Sequence, residues 1–192
     1  MNTLLFDFET TGVGLPINKQ RAIQLSWIII DVNNEIIETF DYYINNQTEL
    51  NTEFHKNLSI DYINKNGIFI EIVLDRFAQS LRNSSKIVAH NIDFDLDVLF
   101  NEIYINNYST FPYTREDLNK IKYCTMKNSI DICKIMGKYG RYKWPKLSEL
   151  YQHFFNKNPE IELHNSINDV LVMYECYKKM KCTIETTTNE KE

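Results

Sequence analysis

The spacing of apolar positions changes along this chain, and each change marks an element. Leu4 to Phe8 is a short apolar run broken by Gly12, Gly14 and Pro16, the pattern of a buried strand running into a loop. Ile23 to Val32 is a second run rich in β-branched residues. Asn33-Asn34 is a turn signal and Glu35 to Ile44 resumes as a strand, so this stretch predicts a hairpin. From Ile70 the period lengthens: Ile70, Val73, Leu74, Phe77 and Leu81 fall at i, i+3, i+4, i+7 and i+11, the single stripe of an amphipathic helix. Lys86 to His90 predicts another short strand. Leu96, Leu99, Phe100 and Ile103 return to helical spacing, as do Val170, Met173, Tyr174 and Tyr177. Strands first, then helices and strands in alternation, predict an α/β sheet with helices on both faces and one antiparallel strand.

The chain has 192 residues, 43% of them hydrophobic and 24% charged, which suits one globular domain and excludes a disordered or disulfide-stapled protein. Periodicity covers residues 1 to 182 as one unit, and the polar end from Thr183 to Glu192 predicts a disordered tail. A formal net charge of -5 excludes a broadly basic nucleic-acid glove but leaves room for a local basic site. The longest strongly apolar run, Trp27 to Ile30, is too short to span a bilayer, and no basic flank precedes an apolar signal core. A cytoplasmic protein with no membrane partner is the expectation. Cys124, Cys133, Cys176 and Cys182 form no C-x-x-C pair and read as reduced thiols.

Asp7 and Glu9 stand two apart in the first strand, so both carboxylates share one face while Phe6 and Phe8 share the other. Neighbouring carboxylates repel unless a cation or a proton sits between them. Alone, the pair is equally a solvated strand end with two surface acids. A second acid set, Asp93, Asp95 and Asp97, occurs where another strand runs into a helix, the edge at which open α/β sheets bind ligands. A calcium loop starting at Asp93 would need Gly where Val98 stands and Glu where Tyr104 stands, so that reading fails. Asp169 opens the last helix, with His164 five residues before it on the approaching loop. A histidine beside a carboxylate cluster suits general-base chemistry.

The ordered set Asp7-x-Glu9, His90-Asn91-x-x-Phe94-Asp95 and His164 with Asp169 resembles the DEDDh class of 3′-to-5′ exonucleases. That ribonuclease-H-like group contains ribonuclease T, oligoribonuclease, the TREX enzymes and the proofreading epsilon subunit of bacterial replicative polymerase. The resemblance runs from about Leu4 to about Met180, with Tyr123-Cys124-Thr125-Met126 and residues 142–151 also alike; Ser166 stands where the family often has Ala. It implies a mixed five-stranded sheet flanked by helices, and a metal-dependent enzyme releasing mononucleotides from DNA 3′ ends. It implies two Mg2+ ions, with Mn2+ as a substitute, held by Asp7, Glu9, Asp95 and Asp169, and His164 as the base that deprotonates water. It places Thr10, Thr11 and Gly12 beside the terminal nucleotide and Asn91 as a hydrogen-bonding neighbour. An exoribonuclease of the ribonuclease T or oligoribonuclease kind is the alternative, as is a non-catalytic nucleic-acid-binding module associated with a DNA polymerase. Whether the chain forms a homodimer stays open.

Between Asp131 and Leu150 the basic residues Lys134, Lys138, Arg141, Lys143 and Lys146 outnumber the acids, with Tyr139, Tyr142 and Trp144 interleaved. Two readings stand side by side. Either Lys138, Arg141 and Lys143 contact phosphates while the rings stack on unpaired bases, or Trp144 and Tyr142 pack on the core of an ordinary loop.

Overall fold

The computed structural model describes residues 1–12, 16, 19–45 and 60–189, with backbone alone at residues 60 and 184–189. Strands β1 (Asn2–Thr10), β2 (Ala22–Ile30) and β3 (Ile36–Tyr43) come first. Helices α1 (Ile60–Asn66) and α2 (Ile70–Arg82) lead to β4 (Ser84–Ala89), α3 (Ile92–Ile105) and α4 (Arg115–Ile121). There follow β5 (Lys122–Cys124), the short helices α5 (Thr125–Asn128) and α6 (Ile130–Cys133), α7 (Leu147–Phe155) and α8 (Ser166–Asn189). The last helix thus continues into the segment read from sequence as a polar tail, and residues 190–192 lie outside the described ones.

The sheet order is β3-β2-β1-β4-β5. β2 is antiparallel to both β1 and β3, while β1, β4 and β5 are parallel to one another, so the single antiparallel strand predicted from the hairpin is present. The hairpin turns where the sequence placed it. Asp31 Oδ1 accepts from the amides of Asn33 at 2.8 Å and Glu35 at 2.9 Å, and Asn34 takes the left-handed conformation (φ 64°) that Asn tolerates well.

Alternation along β1 divides the core in two. Leu4, Phe6 and Phe8 join Trp27, Val73, Leu74, Phe77, Leu96 and Leu99 under α2 and α3. Leu5 points to the opposite face, where Ile28, Val88, Val170, Met173 and Tyr177 pack beneath α8. Asp7 and Glu9 continue the Leu5 row, so they emerge from the sheet beside the start of α8. This placement follows directly from a strand period of two.

Candidate active site

Parallel pairing brings the C-terminal ends of β1, β4 and β5 to one edge of the sheet, and α3 begins there immediately after β4. Asp95 lies in the first turn of α3, is fully buried, and accepts from the Phe8 amide through Oδ1 at 3.2 Å. That bond ties α3 to β1 one residue from Asp7. Asp93 and Asp97, its neighbours in sequence, face elsewhere. Asp93 pairs with Lys122 at 2.7 Å and Lys127 at 2.5 Å, which hold its carboxyl down at about 2, and Asp97 pairs with Arg115 at 2.6 Å. Of the three acids, only Asp95 enters the cluster.

Four carboxyls therefore act on one another at this edge. Burial, then the charges of Asp95, Asp169 and Glu9, hold Asp7 well above the usual carboxylate range. Burial pushes Glu9 up to about 8, with Asp169 and Asp95 adding to the shift. Asp95 also rises to about 8, chiefly by burial, against the opposing bond from the Phe8 amide. Asp169 rises to about 6 by burial, tempered by the His164 amide and the His164 charge.

His164 stands on the loop before α8, exposed, with a left-handed backbone (φ 68°) and its N–H on Asp169 Oδ2 at 3.2 Å. One ligating atom each from Glu9, His164 and Asp169 lie within 4.8 Å of one another. Asp169 Oδ1 is buried and accepts no hydrogen bond among the described residues. An orphaned carboxylate oxygen amid mutually repelling acids fits a divalent cation with oxygen ligands.

The approach of α8 to β1 is fixed by a buried polar chain. The Ser166 hydroxyl donates to Asp7 O at 2.6 Å, and the Ser166 amide donates to Gln24 Oε1 at 3.2 Å, satisfying one of the free N–H groups at the start of α8. Gln24 Nε2 in turn donates to Asp41 Oδ1 at 2.7 Å, an oxygen shared with the Ser26 hydroxyl at 2.7 Å. Polar Gln24 and Ser26 inside the β-branched run AIQLSWIII were the available signal for this chain. Sequence reasoning passed over them.

His90 braces a second junction. Its Nε2 is 3.0 Å from Pro145 O and its Nδ1 is 3.0 Å from Thr125 Oγ1, and burial lowers its imidazole to about 4. A carbonyl oxygen only accepts, so Nε2 carries the proton and Nδ1 accepts from the Thr125 hydroxyl. Glu102, also unremarked in the sequence, is fully buried and accepts from Arg21 Nε at 3.0 Å, Arg21 Nη2 at 3.1 Å and the Ala22 amide at 2.7 Å. This pins the start of β2 to α3.

The remaining predicted residues divide. Thr10 and Thr11 are buried, and their hydroxyls serve the local turn: Thr10 Oγ1 donates to Gln20 Oε1 at 3.0 Å and Thr11 Oγ1 accepts from the Arg21 amide at 3.2 Å. Gly12 has φ 120°, a conformation that favours glycine. Asn91 sits left-handed (φ 76°) at the turn into α3, its carbonyl accepting from the Phe94 amide at 2.9 Å, and Phe94 packs against the core. Lys138 and Arg141 are exposed, whereas Lys143 is held by Glu149 at 2.5 Å. Trp144 and Tyr142 are exposed, so neither packs on the core as the second reading of that loop supposed.

The sequence profile of the RNase T family, described as exonuclease, matches residues 4–177. No curated protein matches the sequence. Among solved structures, apo exonuclease I aligns with a TM-score of 0.69 at 19% identity, over 94% of this chain and 42% of that one. E. coli exonuclease I in complex with a dT13 oligonucleotide aligns with a TM-score of 0.69 at 20% identity, over 98% of this chain and 43% of that one. A 3′-exonuclease described as specifically recognising the 3′ end of a histone mRNA stem-loop aligns with a TM-score of 0.71 at 14% identity, over 93% of this chain and 63% of that one. At these identities the likeness is one of fold, and the chain spans less than half the length of the exonuclease I chains.

Proposed function

The chain belongs to the RNase T exonuclease family, the DEDDh type within the ribonuclease-H-like superfamily, and from that premise we propose that it hydrolyses phosphodiester bonds from the 3′ end of single-stranded or frayed DNA, releasing mononucleotides. The observation that carries the reading is the cluster of Asp7, Glu9, Asp95 and Asp169, all four raised by burial and the first three also by their fellow acids, with one oxygen of Asp169 left without a hydrogen bond among the described residues.

In this proposal Asp7, Glu9, Asp95 and Asp169 would hold two Mg2+ ions, with Glu9 and Asp169 on the side of His164. When bound, Mg2+ or Mn2+ supplies charge relief on the phosphate, water activation and stabilisation of the leaving oxygen. The protein's own groups do the rest. His164 takes the proton of the attacking water on an imidazole nitrogen, and its exposed loop lets it reach that water once substrate is seated. The turn at Thr10, Thr11 and Gly12 presents main chain to the terminal nucleotide, with the threonine hydroxyls shaping the turn. Asn91 holds the bend from which α3 delivers Asp95. Residues 1–182 form the exonuclease domain in this reading.

No described helix is long and apolar enough to cross a membrane. Substrate preference is tested by offering 5′-labelled single-stranded DNA and RNA of one sequence together, with Mg2+ or Mn2+. The reading expects a ladder shortening from the 3′ end with DNA consumed first; faster loss of RNA would replace it with an exoribonuclease.

A further inference from the structure

Residues 134–146 hold five basic side chains and no acid in a protein of net charge -5. They form a small, self-bonded knuckle. The Lys143 amide donates to Ile135 O at 2.9 Å, the Gly137 amide donates to Arg141 O at 2.8 Å, and Met136 and Tyr142 form an antiparallel bridge between them. The two arms approach closely at Gly137, where an added Cβ would lie 3.0 Å from that of Lys143. At the tip Tyr139 has φ 65°, an uncommon backbone for a bulky residue that persists only where the surroundings impose it.

The knuckle turns its rings outward. Tyr139 is 97% exposed, Met136 62%, Trp144 60% and Tyr142 45%. Lys138 and Arg141 are exposed beside them and enter no ion pair among the described residues, whereas Lys143 is occupied by Glu149. The base of the knuckle is fastened to the catalytic edge through Pro145 O on His90 Nε2 at 3.0 Å, His90 being the residue that follows β4 and precedes the turn into α3.

We propose that this knuckle is the platform for the unpaired strand leading to the 3′ end: Tyr139, Tyr142 and Trp144 stack on its bases while Lys138 and Arg141 contact its phosphates. The inference rests on the exonuclease reading for which end of the strand it serves, and on its own observations for the strand itself. Ring faces in water bind π-faces that are free, which an unpaired strand offers and a duplex covers, and an acid-free basic segment selects a polyanion. Lys143 braces the platform through Glu149 and makes no phosphate contact.

The chain has two tryptophans, and Trp27 is fully buried against Phe40, so only Trp144 can report on a ligand through its fluorescence. The experiment titrates the whole protein in chelator, which prevents turnover, with oligo(dT), oligo(rU) and a blunt duplex. Expected is saturable quenching by the single strands and none by the duplex, abolished in Trp144→Ala, with affinity about tenfold weaker in Tyr139→Ala. Replacing Lys138 and Arg141 together by Gln should flatten the salt dependence of log K against log salt by about 1.4, while Lys143→Gln leaves it unchanged. Absent quenching, equal quenching by duplex, or an unaltered salt slope would overturn the platform. Turnover separates the two readings: a false platform would leave KM for a long oligonucleotide the same in wild type and Trp144→Ala, whereas a false exonuclease assignment would leave quenching intact without any 3′ shortening.

Discussion

The Ser166 hydroxyl and the main-chain oxygen of Asp7 are joined by a 2.6 Å hydrogen bond across 159 positions of sequence. Through it the start of α8, which carries Asp169, is fastened to the strand that carries Asp7 and Glu9. The same serine's amide rests on Gln24, so three of the four acids depend on one small buried residue for their relative placement.

Ser166→Ala removes that bond and leaves a carbonyl short of a partner. The expected cost is about 1 kcal/mol of stability, read as a fall in Tm of about 3 °C. Misplacement of Asp169 should lower kcat about tenfold, with Mn2+ affinity measured by calorimetry weakening in step. A wild-type kcat and Mn2+ affinity in a protein that melts lower would reduce Ser166 to a structural role. Gln24→Met, which also releases Asp41, is expected to be more severe on both readouts.

Glu102 presents a different balance, because its carboxylate is fully buried and serves four donors, two of Arg21 and one each of Ala22 and Asn106. Glu102→Ala leaves the guanidinium and the Ala22 amide without their acceptor, and the loss should be about 3 kcal/mol. Urea denaturation would read this as a lower midpoint at an unchanged m-value. Adding Arg21→Met to Glu102→Ala should recover part of the loss, since the uncompensated charge is then gone.

The metal-free protein should lose stability as pH rises. Glu9 and Asp95 titrate at about 8 and Asp169 at about 6 when folded, all above their unfolded values, so between pH 4 and 8 the native state binds more protons than the unfolded chain. A raised carboxyl is harmless below its unfolded value and a burden once pH passes through the folded one. Thermal melting in chelator should therefore give a lower Tm at pH 8 than at pH 5. Added Mg2+ should raise Tm far more at pH 8, where the cluster is ionised, than at pH 5. A metal-free Tm that climbs from pH 5 to 8 would contradict the mutual repulsion described for the cluster.

How much of this was legible depended on whether a local period or a long-range contact set the feature. The hairpin at Asn33-Asn34 and the helix from Ile70 were readable because turn chemistry and a 3.6-residue period act within a few residues. So was the shared face of Asp7 and Glu9, which needs only strand alternation. β5 has three residues and no period of its own, and its strand state comes from pairing Lys122 to Cys124 with Ile87 to Ala89. Resemblance supplied what period could not: the choice of Asp95 over Asp93 and Asp97, which the structure explains by the bond to Phe8 and the cations around its neighbours. The braces were hidden. Gln24 with Ser166, and His90 with Pro145, join residues 142 and 55 positions apart, and only the folded chain brings them together.

The central claim is that the four carboxyls hold the cations at which a 3′-terminal phosphodiester is hydrolysed. The most direct measurement follows a 5′-labelled single-stranded oligonucleotide, with wild type and Asp7→Asn side by side in Mg2+ and in chelator. The account predicts a ladder shortening from the 3′ end for wild type in Mg2+, none in chelator, and for Asp7→Asn a loss of about a thousandfold, the equivalent of roughly 4 kcal/mol in the barrier. Asp7→Asn cleaving at the wild-type rate, or wild type cleaving undiminished in chelator, would contradict it.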